Sequence, residues 1–291
     1  MAQRILICTN FLDGLARLVD HVQDLGAAGF KHIVFFHCIP LEAERDIPHT
    51  EKVKVEAAHT RLSSALANSS AAVMVEVVVE VGLPAERIHA TVKRFNSDLL
   101  VIGTAQRTLL DEKLFGSTTA KLAQQVDIPL LIFRPQLMRV FTREEVALRT
   151  QHLLKSVLIP FDGSPSSQYL VHFLGQWLAP LPQQLLEQAI LCWVTKERSQ
   201  GVVPIKPTLQ LDPQVLEAAR ATLESAGLKV TSEIRYGDSL AEVEAVAVEQ
   251  GTSAIAIASN HFGRLLEWSV PSFAGELIRR SWHPILFIPM G

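Results

Sequence analysis

Arg4-Ile5-Leu6-Ile7-Cys8-Thr9-Asn10 and Ser156-Val157-Leu158-Ile159-Pro160-Phe161-Asp162-Gly163-Ser164 carry one pattern, an apolar run flowing into a polar turn. Working outward, further landmarks recur in matched pairs. Gly82 matches Gly237, Gly103 matches Ala258, Ser117 matches Ser272 and Pro129 matches Pro284, each pair 155 residues apart. Asn10 and Asp162 are 152 apart, so the second copy gains three residues in between. A repeat of this length is a whole domain and not a solenoid unit. The 291 residues accommodate two such domains, each of about 100–150 residues and large enough to bury its own core.

Within the first copy, apolar runs alternate with helical patterns. Ile5–Cys8 reads as a strand, followed by a helix with Leu15, Leu18, Val19, Val22 and Leu25 at 3.6-residue spacing, closed by Gly26. His32–Ile39 is a second strand, and Thr50–Ala67 is helical with Val55, Ala58, Leu62, Ala65 and Leu66 on one face. Val73–Val81, Asp98–Gly103 and Pro129–Phe133 complete five strands, with helices through Ile88, Val92 and Phe95 and over Gly116–Val126. The second copy repeats the order with strands at Val157–Phe161, Ala189–Val194, Leu228–Ile234, Ala254–Ala258 and Pro284–Ile288. Near-continuous apolar strands alternating with amphipathic helices define an α/β fold with a parallel sheet covered on both faces. Thr142-Arg143-Glu144-Glu145 is a capping-box pattern and predicts a short linker helix near 142–150. The expected domains are therefore 1–137 and 153–291, joined by 138–152. Gly201–Pro213, with three prolines, reads as an extended surface connector.

Composition narrows the function classes. Net charge is −3 and the isoelectric point about 6.4, so no basic footprint points to nucleic acid or an anionic membrane. Cys8, Cys38 and Cys192 are odd in number and lack CxxC spacing, which fits buried reduced thiols. The N-terminal apolar run is short and unflanked by positive charge, and reads as a strand instead of a signal peptide. No stretch approaches the roughly 20 apolar residues of a membrane span, and a cytoplasmic protein is expected. The ten histidines form no HxxxH, HxH or Cys/His grouping, and neither a GxSxG elbow nor a Walker lysine loop is present. No catalytic and no metal-ligating residues are assigned.

Ligand crevices in open α/β sheets lie beyond the carboxyl ends of the strands, where strand order reverses. With strand 1 beside strand 4, the Thr9-Asn10 turn faces the Gly103 turn. After Gly103 come Thr104-Ala105-Gln106, nine residues (Arg107–Phe115), and Gly116-Ser117-Thr118-Thr119 opening a helix. Such a helix start offers unpaired N–H groups, hydroxyls and a positive dipole end, the requirements for holding phosphate oxygens. The same residues also fit a plain turn at Gly103 and a plain cap at Ser117.

Both copies resemble universal stress protein domains over about 1–137 and 153–291. The resemblance implies two tandem, doubly wound, five-stranded domains of the adenine-nucleotide α-hydrolase-like type, strand order 3-2-1-4-5, paired as an internal pseudo-dimer along their last strands. In nucleotide-binding members the fourth strand ends in glycine, with a second glycine after two residues and a Gly-Ser or Gly-Thr pair after nine more. Here those places read Gly103, Gln106, Gly116 and Ser117. The resemblance assigns adenine-nucleotide contacts to Thr9, Asn10, Cys38, Ile102, Gly103, Ala105, Gln106, Gly116, Ser117, Thr118 and Thr119, with the Cys38 backbone at the adenine edge. ATP or another adenine nucleotide is the implied ligand, with Mg²⁺ as its companion, although Asn10 replaces the usual aspartate and lacks the charge that favours the ion. In the second copy Asp162-Gly163-Ser164 keeps the first-strand ending, but the loop reads Ala258, His261, Pro271 and Ser272. Pro271 has no N–H, and Trp268 adds bulk, so the second copy is not expected to hold a triphosphate in the usual way.

The resulting expectation is a stress-response protein that binds an adenine nucleotide in its first domain as a regulatory ligand. The alternative is a tandem scaffold with both sites degenerate, docking a protein partner of unstated identity. Turnover is not expected, with slow nucleotide hydrolysis or adenylyl transfer left open, as is assembly into a further homodimer.

Overall fold

The computed structural model describes residues 3–41, 48–104, 121–122, 124–134, 138–139, 141–178, 185–195, 212–259 and 272–290. The first half contains β1 (Arg4–Cys8), a 3₁₀ turn (Leu15–His21) continuing as α1 (Val22–Ala27), β2 (His32–Pro40), α2 (Pro48–Leu62), α3 (Ser64–Ala67), β3 (Met74–Gly82), α4 (Pro84–Phe95), β4 (Leu99–Gly103) and β5 (Leu130–Phe133). A connecting helix, α5 (Arg143–Gln151), leads to β6 (Ser156–Pro160), α6 (Pro165–Leu178), β7 (Gln188–Thr195), α7 (Pro213–Ser225), β8 (Lys229–Tyr236), α8 (Ser239–Glu249), β9 (Ala254–Ser259), α9 (Phe273–Arg280) and β10 (Ile285–Pro289). Ala105, Gln106, Gly116, Ser117, Thr118 and Thr119 lie outside the described residues, as do His261, Trp268, Pro271 and the stretch 201–211.

Strand order is β3-β2-β1-β4-β5-β10-β9-β6-β7-β8 in one ten-stranded sheet. Each half therefore runs 3-2-1-4-5 with parallel neighbours, and the halves meet where β5 pairs antiparallel with β10. The register sets Ile132 against Ile285, Leu131 against Leu286 and Leu130 against Phe287. All six side chains are buried. Alternating residues of these strands enter two apolar layers, one on each face, and each layer contains residues from both halves. The apolar runs are continuous because helices cover both faces.

Local chemistry explains the element ends. Thr142 accepts from the Glu145 amide (3.2 Å) while the Glu145 carboxylate accepts from the Thr142 amide (2.7 Å), closing a capping box on α5. Asp212 caps α7 by accepting from the Gln214 amide at 2.9 Å. Two details differ from the periodicity reading. Gly26 lies inside α1 instead of closing it, and Leu15–His21 winds as 3₁₀, so the α-helix proper begins seven residues after the apolar spacing starts. Leu66 is exposed, since α2 ends at Leu62 and α3 restarts with a different facing. No helix among the described residues is long and apolar enough to cross a membrane.

Arg134, just past β5, reaches into the second half and donates to the carbonyls of Ile278 (3.2 Å) and Arg279 at the carboxyl end of α9. Its guanidinium also lies over the Trp282 ring, 5.7 Å from the centroid. A cation there complements the negative end of the helix dipole. Glu244 stands nearby, its carboxylate 3.3 Å from His283 Nδ1. Burial opposes its ionisation but is outweighed by the hydrogen bonds of His283 and Ser281 and by the His283 and Arg134 charges, which together hold its carboxyl below the usual range.

Two outcomes follow for this join. Ile132→Asp or Phe287→Asp buries a charge in the seam and should cost several kcal/mol, seen as loss of soluble monomer by size-exclusion chromatography; a well-behaved monomer at both positions contradicts the seam. Because the folded pKa of Glu244 is depressed, its stabilisation is present above the ordinary carboxylate pKa and is lost as pH falls through the lower folded value. Glu244→Gln should flatten the acid limb of a melting-temperature-against-pH curve.

Candidate crevices at the carboxyl edge

In the first half, Thr9 and Asn10 leave β1, Cys38 sits in β2, and Ile102 and Gly103 end β4, so the described members of the sequence-derived set gather at one edge. Asp13 occupies the space between the β1 and β4 turns. Its side chain is buried and accepts from the Thr9 hydroxyl (2.7 Å), the Asn10 amide (2.9 Å) and the Leu15 amide (3.0 Å). A Cβ added at Gly103 would lie 2.5 Å from the Asp13 Cβ. The missing side chain at 103 therefore makes room for Asp13.

Beside it the turn is held in an uncommon conformation. Phe11 has φ of 64°, in the left-handed region that costs an L-residue roughly 1–2 kcal/mol. Its amide donates to Thr9 Oγ1 (3.0 Å), and its ring packs on His37 with centroids 4.3 Å apart. On Phe11 the Arg61 guanidinium lies 3.8 Å from the ring centroid. His37 donates from Nδ1 to the Thr9 carbonyl at 2.8 Å, which fixes the tautomer. Burial, helped by the Arg61 charge and opposed by the Thr9 bond, lowers its pKa. The Cys38 thiol is pushed up to about 11 by burial and the Glu80 charge, so it is a poor nucleophile.

The second half presents a different edge. A cavity of about 350 Å³ opens beyond β6, β7 and β9, lined among others by Asp162, Cys192, Val194, Ile257 and Ala258. That volume lies within the range of small-molecule sites. Three helix N-termini converge on it: α6 through Ser164, Ser166 and Ser167, α8 through Ser239, and α9 through Ser272, Phe273 and Ala274. The first amides of each helix have no partner within the helix, and each end is electropositive. Ser272 Oγ accepts from the Gly275 amide (3.1 Å), and Asp162 accepts from the Ser164 amide (3.0 Å), so both turns are locked by their own side chains. Burial raises the Cys192 thiol to about 12 and makes it inert. Among the described residues no group of three His, Cys, Asp or Glu is placed to hold a metal ion.

The family model for universal stress proteins matches residues 1–134 and again 154–289. The chain belongs to the universal stress protein family. Its fold resembles a universal stress protein from Archaeoglobus fulgidus DSM 4304, at 18% identity and TM-score 0.67 with 100% of both chains covered. It also resembles a functionally unknown protein from Pseudomonas aeruginosa PAO1, at 12% identity and TM-score 0.50, covering 99% of this chain and 92% of that one. A shorter structure, a universal stress protein in complex with cAMP, is 22% identical over 45% of this chain and 95% of its own, with TM-score 0.34. Identities this low speak to fold alone. No curated protein matched.

The structure brings Thr9, Asn10 and Gly103, which the sequence singled out, to one edge of the sheet, and beside them it places Asp13 and Phe11, which the sequence did not single out. The only signal was an acid four residues after Thr9. In the second half the signal was the serines at 164, 166, 167, 239 and 272, scattered in sequence and gathered by three separate helices.

If Gly103 exists to admit Asp13, the two positions are coupled. Gly103→Ala should destabilise by about 1–3 kcal/mol through overpacking, and by clearly less in an Asp13→Gly background. Equal penalties in both backgrounds, measured by urea unfolding, argue against the contact.

Proposed function

We propose that this universal stress protein is a stress-response binding protein, and that its adenine-nucleotide ligand enters the crevice of the second half. The observation that carries this is the 350 Å³ cavity ringed by three helix N-termini at the carboxyl ends of β6, β7 and β9. Converging amides and serine hydroxyls suit a phosphate or the hydroxyls of a ribose, the Asp162 carboxylate suits ribose hydroxyls, and Val194, Val243, Ile257 and Phe273 suit a base. Position 271 is proline and contributes no N–H, which favours adenosine or AMP over a triphosphate and removes the need for Mg²⁺. The role is read as binding without turnover.

The first-half set, Thr9 to Thr119, is the second reading, supported by its Gly103, Gly116 and Ser117 spacing. In the described part of that crevice, however, Asp13 and Phe11 take up the space. One calorimetric comparison separates the two readings, using AMP, cAMP and ATP with Mg²⁺ as probes. Wild type should take about one equivalent of AMP. Ala258→Phe, which projects a ring into the second cavity, should weaken binding at least about tenfold, roughly 1.4 kcal/mol, whereas Gly116→Val should change it less than about threefold. The opposite pattern moves the ligand to the first half. No heat and no shift in melting temperature with any probe favours a scaffold role.

A further inference from the structure

The two halves allow one turn to be compared with itself inside a single chain. Asn10 corresponds to Asp162, and the next residue is left-handed in both, Phe11 with φ 64° and Gly163 with φ 72°. Beyond that point they diverge. In the second half Pro165 starts α6 directly, and Ser164, Ser166 and Ser167 line open space beside Ala258. In the first half the chain makes a second left-handed step at Gly14, φ 78°, runs through the 3₁₀ turn, and folds Asp13 onto Gly103, the counterpart of Ala258.

We propose that the first half is a self-occupied copy, in which the Phe11 ring and the Asp13 carboxylate fill the crevice in place of a ligand's aromatic and anionic groups. The carboxylate takes the hydrogen bonds an anion would take: one hydroxyl and two backbone amides, at 2.7–3.0 Å. The ring packs on His37 at a 35° tilt and is covered by Arg61, filling the kind of place an aromatic base would take. Such an arrangement needs a restraint, because a left-handed phenylalanine is disfavoured.

The restraint comes from the segment after β5. A Cβ on Gly14 would stand 2.7 Å from the Met138 Cβ, so this segment presses directly on the turn. Arg17 donates to the Met138 carbonyl, and Arg139 donates to the Leu12 carbonyl at 2.9 Å. The α5 helix fastens the strap further, with Gln151 donating to Asp24 at 2.7 Å. The connection between the halves thus clamps the residues that close the first crevice. This inference stands whether or not the second half takes a nucleotide.

The test counts equivalents. The double variant Phe11→Ala with Asp13→Ala, checked for native circular dichroism, is titrated with AMP beside its parent. It should bind one equivalent more than the parent, whatever the parent's number, while Asp13→Asn, which keeps the filling shape, adds none. A folded double variant that gains no equivalent overturns the proposal. Should the double variant fail to fold, hydrogen exchange on wild type decides. The Asn10 and Leu15 amides should exchange at least about tenfold more slowly than unstructured amides, and saturating AMP should leave the segment 9–16 unchanged. Fast exchange there, or AMP-induced protection of 9–16, overturns it. A parent that binds no AMP, with a variant that binds one, defeats only the second-half assignment.

Discussion

The antiparallel pairing of β5 with β10 is the contact on which the rest of the molecule depends. Each half ends in a strand that would otherwise be an open, wholly apolar edge, and such edges recruit other chains. Joining them turns two five-stranded sheets into one and buries Leu130, Ile132, Ile285 and Phe287 completely. It also makes both apolar layers continuous across the join, each containing residues of both halves. Arg134 extends this coupling by gripping the carboxyl end of α9, the helix whose opposite end lines the second cavity.

Fusing two copies in one chain frees them to diverge. In a homodimer every substitution is made twice; here each crevice changes alone. The second half kept small hydroxyl-bearing residues at three helix starts and retains an open cavity. The first half placed leucine at 12 and 15 and glycine at 14 where the second has serines, and turned an acid inward. The resulting asymmetry has a physical basis in volume: a buried Asp13 and a Phe11 ring packed on His37 occupy what would otherwise be space for a small molecule.

The thiols add nothing reactive to either crevice. Cys8, Cys38 and Cys192 are all free, and burial is the leading cause that raises each of them. Hydroxyls, backbone amides and single carboxylates, joined in the first half by the His37 imidazole and the Arg61 guanidinium, make up the polar groups described at these edges.

How far the sequence speaks depends on whether a feature is local. The repeat and the ten strands were legible, because apolar runs, glycine breaks and caps such as Thr142 act within a few residues of themselves, whereas the strand order came from the family resemblance. The first-strand turns at Asn10 and Asp162 were legible for the same reason, whereas the loop positions between 105 and 119 fall outside the described residues. The filling of the first crevice was not legible. It rests on Asp13 meeting Gly103 and Gly14 meeting Met138, contacts between residues 90 or more apart whose fit is set by fractions of an ångström. Pattern fixes which way a side chain faces, but only the packed backbone decides whether the space it faces is already taken.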